Sequence, residues 1–587
     1  MVALNWYVIQ VLWVCSYALG LWAMAILLRR LGPTRQVSYH LAVLGGLGVT
    51  LLISAYVAPL WVIRAGSVML ADPACSAPGK DFCGQSLVAL WAFLLNEPHP
   101  GPWFVVHVMR LQYLLAPLLA YTLSYAVTTA CARAETSAAP PESDSAAPVP
   151  PRAADPALLT RVCWNALLLL LYEQFTIRGS LFAGYYSFYS NLFCFLLLGA
   201  HLWAGGRSRS RALGGALFAC AALLLGFSRL ESFVPVGVML FVIAVGAARR
   251  RRWGPAGLLL GLAAYLVVSS QYNVRQILHL SRVDEAVLGS QRLGDRPVYW
   301  LPILALKNVA LRLPQNLLGL LVATHVFLVL AVLRVVHRCR TRSIDLPERV
   351  VLILTGVTAF LVLGHKSGFV DQAKFTSLLA VPVWYLAVRH LGVEARPRRR
   401  SILWFRRIAL GWSTLVLVVT FVFIALTGLP RRLEQLRYRT VPAVVADFRR
   451  HVARQTGQTG RRRACHVTML EPAGSHRKLW KEFLEYLPAL VKRRLPVTCS
   501  TSHVTIERPP SAAAVRPRPR PRPRRCALRA ILPAHARNPS TLNLAVILWA
   551  PPRKRAAPLP TSYVTACGWR TGLNTRHATV LYRPAPR

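Results

Sequence analysis

A few ionisable residues sit where apolar segments begin and end, and their spacing suggests chemistry at one membrane face. The stretch 81–110, DFCGQSLVALWAFLLNEPHPGPWFVVHVMR, carries Asp81, Glu97, His99 and His107. Acids are scarce here, 22 Asp plus Glu against 70 Lys plus Arg. Asp81 reads either as a solvated loop acid or as a carboxylate acting as general base or metal ligand. His99, in the break PHPGP, is either a plain loop histidine or a functional group near the outer mouth of the helix bundle. GFSRLESFVPV at 226–236 places Arg229 and Glu231 in an otherwise apolar run. They form a structural ion pair, or Arg229 presents its planar fork to a phosphate. GHKSGFVDQAKFTSLLAVP at 364–382 gathers His365, Lys366, Asp371 and Lys374. Lys374 is the first charge entering the next span, and it either snorkels to the interface or has a functional role.

The elements that must position these groups are membrane helices. The chain is 54% hydrophobic and 16% charged, with mean hydropathy +0.41. Soluble domains average roughly 25% charged residues. Several apolar runs reach the roughly 20 residues that cross a bilayer. The reading is a mainly α protein, a polytopic transmembrane helix bundle of about twelve spans. They lie near 6–28, 40–63, 102–130, 157–175, 180–203, 211–227, 232–248, 254–270, 316–334, 349–364, 373–390 and 404–428. The basic clusters 29–35, 207–211, 249–252, 334–342 and 396–400 all fall on one side with that count, which the positive-inside rule makes cytoplasmic. The loops 64–101, 271–315 and 365–372 then lie outside. A nucleic-acid partner is not expected from the +48 charge, because the basic residues are spread over loops and tail. Anionic lipid or a phosphate-bearing substrate suits them better.

Four regions follow: 1–131, N-terminal spans with the outer loop 64–101; 132–156, a Pro/Ala/Ser linker expected to be disordered; 157–428, the rest of the bundle; and 429–587, a basic extracytoplasmic tail. Long translocated domains escape the charge rule. The tail opens with a basic amphipathic helix over 430–454. Strand, helix and strand patterns at 465–470, 477–494 and 496–507 make a βαβ-like unit. RPRPRPRPRR at 516–525 is a polyproline-like spacer. NLAVILWA, SYVTAC and HATVLY read as short strands of a small α/β domain. Of 12 cysteines, Cys75 and Cys83 fall in the outer loop and Cys465, Cys499, Cys526 and Cys567 in the tail. Cys75–Cys83 and Cys465–Cys499 are candidate pairs on a disulfide-permissive side. A short apolar helix over 85–95 is expected to lie in the interface. Glu173 and Arg178 add to the outer face, and Tyr185, Tyr186, Phe188 and Tyr189 make an aromatic belt or a sugar-stacking surface.

No Walker A, HExxH or GxSxG motif is present, and the cytoplasmic loops offer only basic clusters. A polytopic transporter or lipid flippase is the rival reading; it predicts internal repeats and charges near mid-membrane, whereas these charges cluster at span ends.

The arrangement resembles the GT-C superfamily of polytopic glycosyltransferases, which includes protein O-mannosyltransferases and lipid A aminoarabinose transferases. Asp81 followed by HPGPWF is similar to that family's carboxylate in the first outer loop and its His/Pro turn. SRLESFVPVGVMLF resembles its basic residue at a span start. AKFTSLLAVPVWYLAV resembles its Arg-Tyr-x-x-Pro-like segment, with Lys374 in the Arg position. Asp81 is followed by Phe82 where the family pairs its acids. The resemblance implies a plasma (inner) membrane enzyme of the cell envelope. It would move a sugar from a polyprenyl phosphate donor to a lipid, glycan or protein acceptor on the extracytoplasmic face. Asp81 would be catalytic, with His99, Arg229, Glu231, His365 and Lys374 binding substrate. A divalent metal ion is a conceivable cofactor, and its ligands are unknown.

Overall fold

The computed structural model describes residues 2–29, 102–137, 156–178, 187–206, 208–228, 230–270, 302–341, 344–363, 377–392, 400–427, 465–472, 499–506, 543–549, 569–574 and 578–582, with scattered positions around 87–96 and 443–451 and Gly45. The chain divides into one unit of residues 1–69 and 76–426 and another of 70–75 and 427–587.

The first unit is helical. In chain order its helices are α1 (Val2–Arg29), α2 (Pro102–Ser137), α3 (Pro156–Arg178), α4 (Ser187–Gly205), α5 (Ser208–Ser228), α6 (Leu230–Arg249), α7 (Trp253–Ser269), α8 (Pro302–Thr341), α9 (Leu346–Leu363), α10 (Ala380–Leu391) and α11 (Arg400–Thr427). A 3-10 turn, Ser377–Leu379, leads into α10. Two helices are longer than expected. α2 runs to Ser137, inside the stretch read as linker, and α8 begins at Pro302, inside the stretch read as outer loop. At about 1.5 Å per residue α8 is roughly 60 Å long, twice a bilayer's hydrocarbon core. Part of it therefore lies beyond any membrane it crosses.

Four described segments are long and apolar enough to cross a membrane: Tyr7–Arg29, Leu115–Ala132, Ser208–Ser228 and Ser232–Arg249. Ala157–Tyr172 and Trp253–Ser269 are shorter apolar helices. Where the apolar faces go distinguishes inner from outer helices. α4 is buried on every side from Tyr189 to Ala200 and touches α1, α2, α5, α9 and α10. α10 is likewise enclosed, by α2, α3, α4, α8 and α9. Around them α1, α6, α7 and α11 turn large apolar side chains outward, among them Trp22, Phe241, Trp253 and Trp404. Apolar belts of this extent mark a membrane or partner surface.

Polar groups inside are satisfied locally or used as ties. Thr122 and Thr128 donate to the carbonyls of Leu118 and Ser124, at 2.7 and 2.6 Å. The amide of Asn165 in α3 donates to Thr128 Oγ1 of α2 at 3.2 Å, and Trp384 Nε1 of α10 donates to the Asn165 carbonyl at 3.2 Å. Those two bonds level three helices against one another. Tyr172 of α3 stacks on Phe327 of α8, with ring centroids 4.5 Å apart.

The second unit holds a five-stranded sheet of β1 (Cys465–Pro472), β2 (Cys499–Ile506), β3 (Asn543–Trp549), β4 (Arg570–Asn574) and β5 (Ala578–Tyr582), in the order β2-β1-β3-β5-β4. β1 pairs parallel with both β2 and β3; β5 pairs antiparallel with β3 and β4. β4 lies outside the runs read as strands, and SYVTAC lies outside the described residues. Positions 443, 447, 450 and 451 are helical, and Asp447 accepts a bond from Tyr582 Oη at 2.9 Å while His451 stacks on the Tyr582 ring at 3.7 Å. Burial, then the Asp447 carboxylate, raises the Tyr582 phenol above its usual range. A bulge in β4 between Thr571 and Leu573 leaves glycine at 572, where a Cβ would lie 2.9 Å from Asp447 Oδ2.

The α4–α5 contact has no room for a methyl group at two glycines. A Cβ on Gly199 would lie 2.7 Å from Phe218 N, and one on Gly214 would lie 2.7 Å from Leu202 Cβ and 2.8 Å from Gly199 O. Small residues of this kind let helix backbones approach. Gly214→Ala is expected to destabilise the protein by about 1–3 kcal/mol through overpacking. Gly261→Ala in α7, where a Cβ meets no described atom within 4 Å, is expected to leave stability equal or slightly higher. Thermal unfolding of both variants in detergent checks the opposite signs.

Candidate functional site

The candidates drawn from the sequence adjoin helix ends. Asp81, His99, Arg229, His365 and Lys374 lie outside the described residues. Glu231 is in the first turn of α6, with its side chain outside the description. The helix ends beside these residues can be placed. α2 begins at Pro102, three residues after His99. α6 begins at Leu230, next to Arg229. α9 ends at Leu363, two residues before His365. The turn before α10 begins at Ser377, three residues after Lys374.

Those helix ends point to one end of the bundle, because the opposite ends are fixed together. The C-terminal turns of α8 and α10 and the N-terminus of α9 share an ion-pair network. Glu348, fully buried, accepts from Arg334 Nε at 2.6 Å and pairs with Arg338 Nε at 2.8 Å. Asp345 accepts from the Arg389 guanidinium. Arg389 Nη1 also reaches Cys131 Sγ of α2 at 3.5 Å, and its guanidinium lies 5.7 Å from the Tyr385 ring centroid. Tyr385 Oη shares a 3.2 Å hydrogen bond with His201 Nε2 of α4. A Cβ on Gly246, near the C-terminus of α6, would lie 3.2 Å from an Arg349 guanidinium nitrogen. Five helices therefore bring one end of each, and α6 the end beyond Gly246, to this network. Pro102, Leu230, Leu363 and Ser377 belong to the other end. Asn316 of α8 donates to the Leu363 carbonyl there.

The described helices extend toward that other end by different lengths. From the level of Trp384 and Thr128, α10 and its 3-10 turn reach back about 10 Å to Ser377, whereas α2 continues about 39 Å to Pro102 and α3 about 20 Å to Arg178. Leu378 and Leu379 are buried where the chain enters.

The stretch 81–110 shows its helix and its stop. Leu87, Leu90, Trp91, Phe93 and Leu94 are helical, and the Leu95 amide donates to the Trp91 carbonyl at 2.9 Å. Leu87 and Leu90 are buried; Phe93, Leu94 and Leu95 are exposed, Phe93 by 82%. Asn96 then takes the left-handed conformation at φ 51°. Asparagine is among the few residues that end a helix this way.

The ion-pair network corrects one expectation. The end carrying 334–342 holds more than basic clusters, since Asp345 and Glu348 balance Arg334, Arg338 and Arg389. The signal was readable in DLPE at 345–348. Asp345 is the N-cap of α9, and its Oδ1 accepts the Glu348 amide at 2.9 Å. A proline inside the first turn and an acid at the third position complete the pattern. Burial opposes the Asp345 charge, but the Arg389 guanidinium and the Glu348 amide outweigh it and hold the carboxyl below its usual 3.8. Among the described residues no group of three or more His, Cys, Asp or Glu is placed to hold a metal ion.

No family model, curated protein or solved structure matches the chain. The architecture itself is that of a mainly α-helical protein whose long apolar helices are consistent with a multi-pass membrane protein.

Two outcomes follow from the network. Glu348→Leu leaves two cations without their buried partner and is expected to cost about 3–5 kcal/mol, while the triple change Arg334→Met, Arg338→Met, Glu348→Leu recovers most of that loss; thermal unfolding in detergent measures both. A depressed carboxyl contributes stability in full above its unfolded value and loses it as pH falls through the folded value. The stability gap between wild type and Asp345→Asn is therefore expected to be constant above pH 3.8 and to close below it, followed by pH-dependent melting.

Proposed function

We propose that the protein is a membrane glycosyltransferase, moving a sugar from a polyprenyl phosphate donor to a lipid, glycan or protein acceptor on the extracytoplasmic face. The observation that carries this reading is that the helix ends adjoining His99, Arg229 with Glu231, His365 and Lys374 all belong to one end of the bundle. A polyprenyl donor needs such an end: its chain stays in lipid while its phosphate meets fixed cations at the bundle mouth. The exposed apolar side chains of α1, α6, α7 and α11 are suited to that division. The about twelve spans and the outside placement of residues 429–587 belong to the same proposal.

In this mechanism Asp81 removes the proton from the acceptor nucleophile as its oxygen or nitrogen attacks the anomeric carbon. The bond from that carbon to the carrier's phosphate oxygen breaks, and the polyprenyl phosphate departs with the electron pair. Arg229 and Lys374 neutralise the charge growing on that leaving group. His99 and His365 bind its remaining oxygens, and Glu231 orients Arg229.

Membrane vesicles supplied with a polyprenyl-phosphate-linked sugar test the reading. Wild type is expected to release the carrier phosphate and transfer the sugar. Asp81→Asn is expected to lose about 10²–10⁴-fold in turnover, the usual worth of a general base. Equal turnover by both proteins would remove Asp81 from the mechanism. Absence of transfer with every carrier offered, together with carrier movement between leaflets, would establish the transporter reading instead.

A further inference from the structure

The sheet of the second unit brings together two cysteines that the glycosyltransferase mechanism does not use. β1 and β2 are parallel, and their register pairs Cys465 with Cys499, each the first residue of its strand. Neighbouring strands lie about 4.8 Å apart, and residues in register share a face of the sheet. A disulfide needs its Cα atoms about 4.4–6.8 Å apart. We propose that Cys465 and Cys499 form a disulfide that ties the start of β2 to the start of β1. The proposal rests on the outside placement of this unit given above, because disulfides persist in that compartment and not in the cytoplasm.

Three features make the position sensible. β2 is the edge strand in the order β2-β1-β3-β5-β4, held to the sheet on one side alone. An edge strand is the element most easily peeled away or paired wrongly. The bond would close the chain between the two strands into a covalent loop, which restricts the unfolded chain. The other six described cysteines, Cys15, Cys131, Cys163, Cys194, Cys220 and Cys339, all lie in helices of the first unit. Formation takes one proton and one electron from each thiol. Both electrons pass to a thiol–disulfide oxidant of the extracytoplasmic face, and one sulfur–sulfur bond results.

The test uses the full-length protein as cells make it. Thiols are alkylated with N-ethylmaleimide at lysis, and the protein is purified in detergent and digested with trypsin without reductant. The expected product joins the peptide starting at Ala464 to the peptide starting at Leu495, and dithiothreitol separates them. Recovery of both peptides alkylated and unlinked, or of Cys465 joined to Cys526 or Cys567, overturns the proposal. A second measurement separates its failure from failure of the functional reading. In Cys465→Ser, Cys499 is expected to lose its protection and react with a membrane-impermeant maleimide in intact spheroplasts. Reaction from outside in this variant, with unlinked peptides in wild type, overturns the disulfide and leaves the membrane topology standing. Reaction only after permeabilisation overturns both.

Discussion

A fully buried carboxylate between two arginines governs the arrangement of the bundle. Glu348 could not stay charged among apolar helices without Arg334 and Arg338, and neither arginine would be tolerated so far from water without it. The three groups therefore fix the end of α8 against the start of α9. Asp345, one turn away, does the same for α9 and α10 through Arg389, and Arg389 extends the connection to α2 through Cys131. Such pairs add little net stability compared with apolar side chains of the same shape. Their effect is on arrangement, since a sliding or rotated helix would strand a charge.

Once that end is fixed, helix length decides what happens at the other. α10 and its 3-10 turn are short, while α2, α3 and α8 are long. The chain enters α10 through buried Leu378 and Leu379, at a level inside the lengths of α2 and α3. Functional sites in helix bundles are built from groups projecting into interior space. The two ends thus differ in kind. One carries the buried ion pairs of Glu348 and Asp345, and the other is adjoined by the segments that hold His99, Arg229 with Glu231, His365 and Lys374.

Much of this was legible in the sequence where the signal is local. Apolar runs mark α5, α6, α7 and α9 to within three residues at each end, and period-two alternation marks β1, β2, β3 and β5. Caps are local too, and DLPE announces the start of α9. The losses come from contacts distant in sequence. Nothing near Asp345 shows that Arg389 will meet it, or that Tyr385 will meet His201, because helix packing alone brings them together. α2 continues into the Ala-rich start of the linker because Ala, Arg and Glu favour helix whatever follows. β4 was missed because RTGLN has no alternation; its glycine serves the bulge under Tyr582 instead of a strand face. The candidate site was legible as residues at span ends, and the helix ends beside four of those segments belong to one end of the bundle.

The stretch from Asp81 to Arg110 gains a physical outline from its two boundaries. Asn96 stops the first helix by turning left-handed, a conformation that costs asparagine little and most other residues more. Pro102 starts α2, where a missing amide hydrogen is no loss and the fixed φ suits the first helical position. Pro98 and Pro100 lie between, and each disfavours helical backbone at the residue before it. The interval between the two helices is short, and Glu97 and His99 are the ionisable residues in its sequence. Proline on either side of His99 narrows the backbone conformations open to that segment, and a group so restricted gives up less freedom on meeting a ligand.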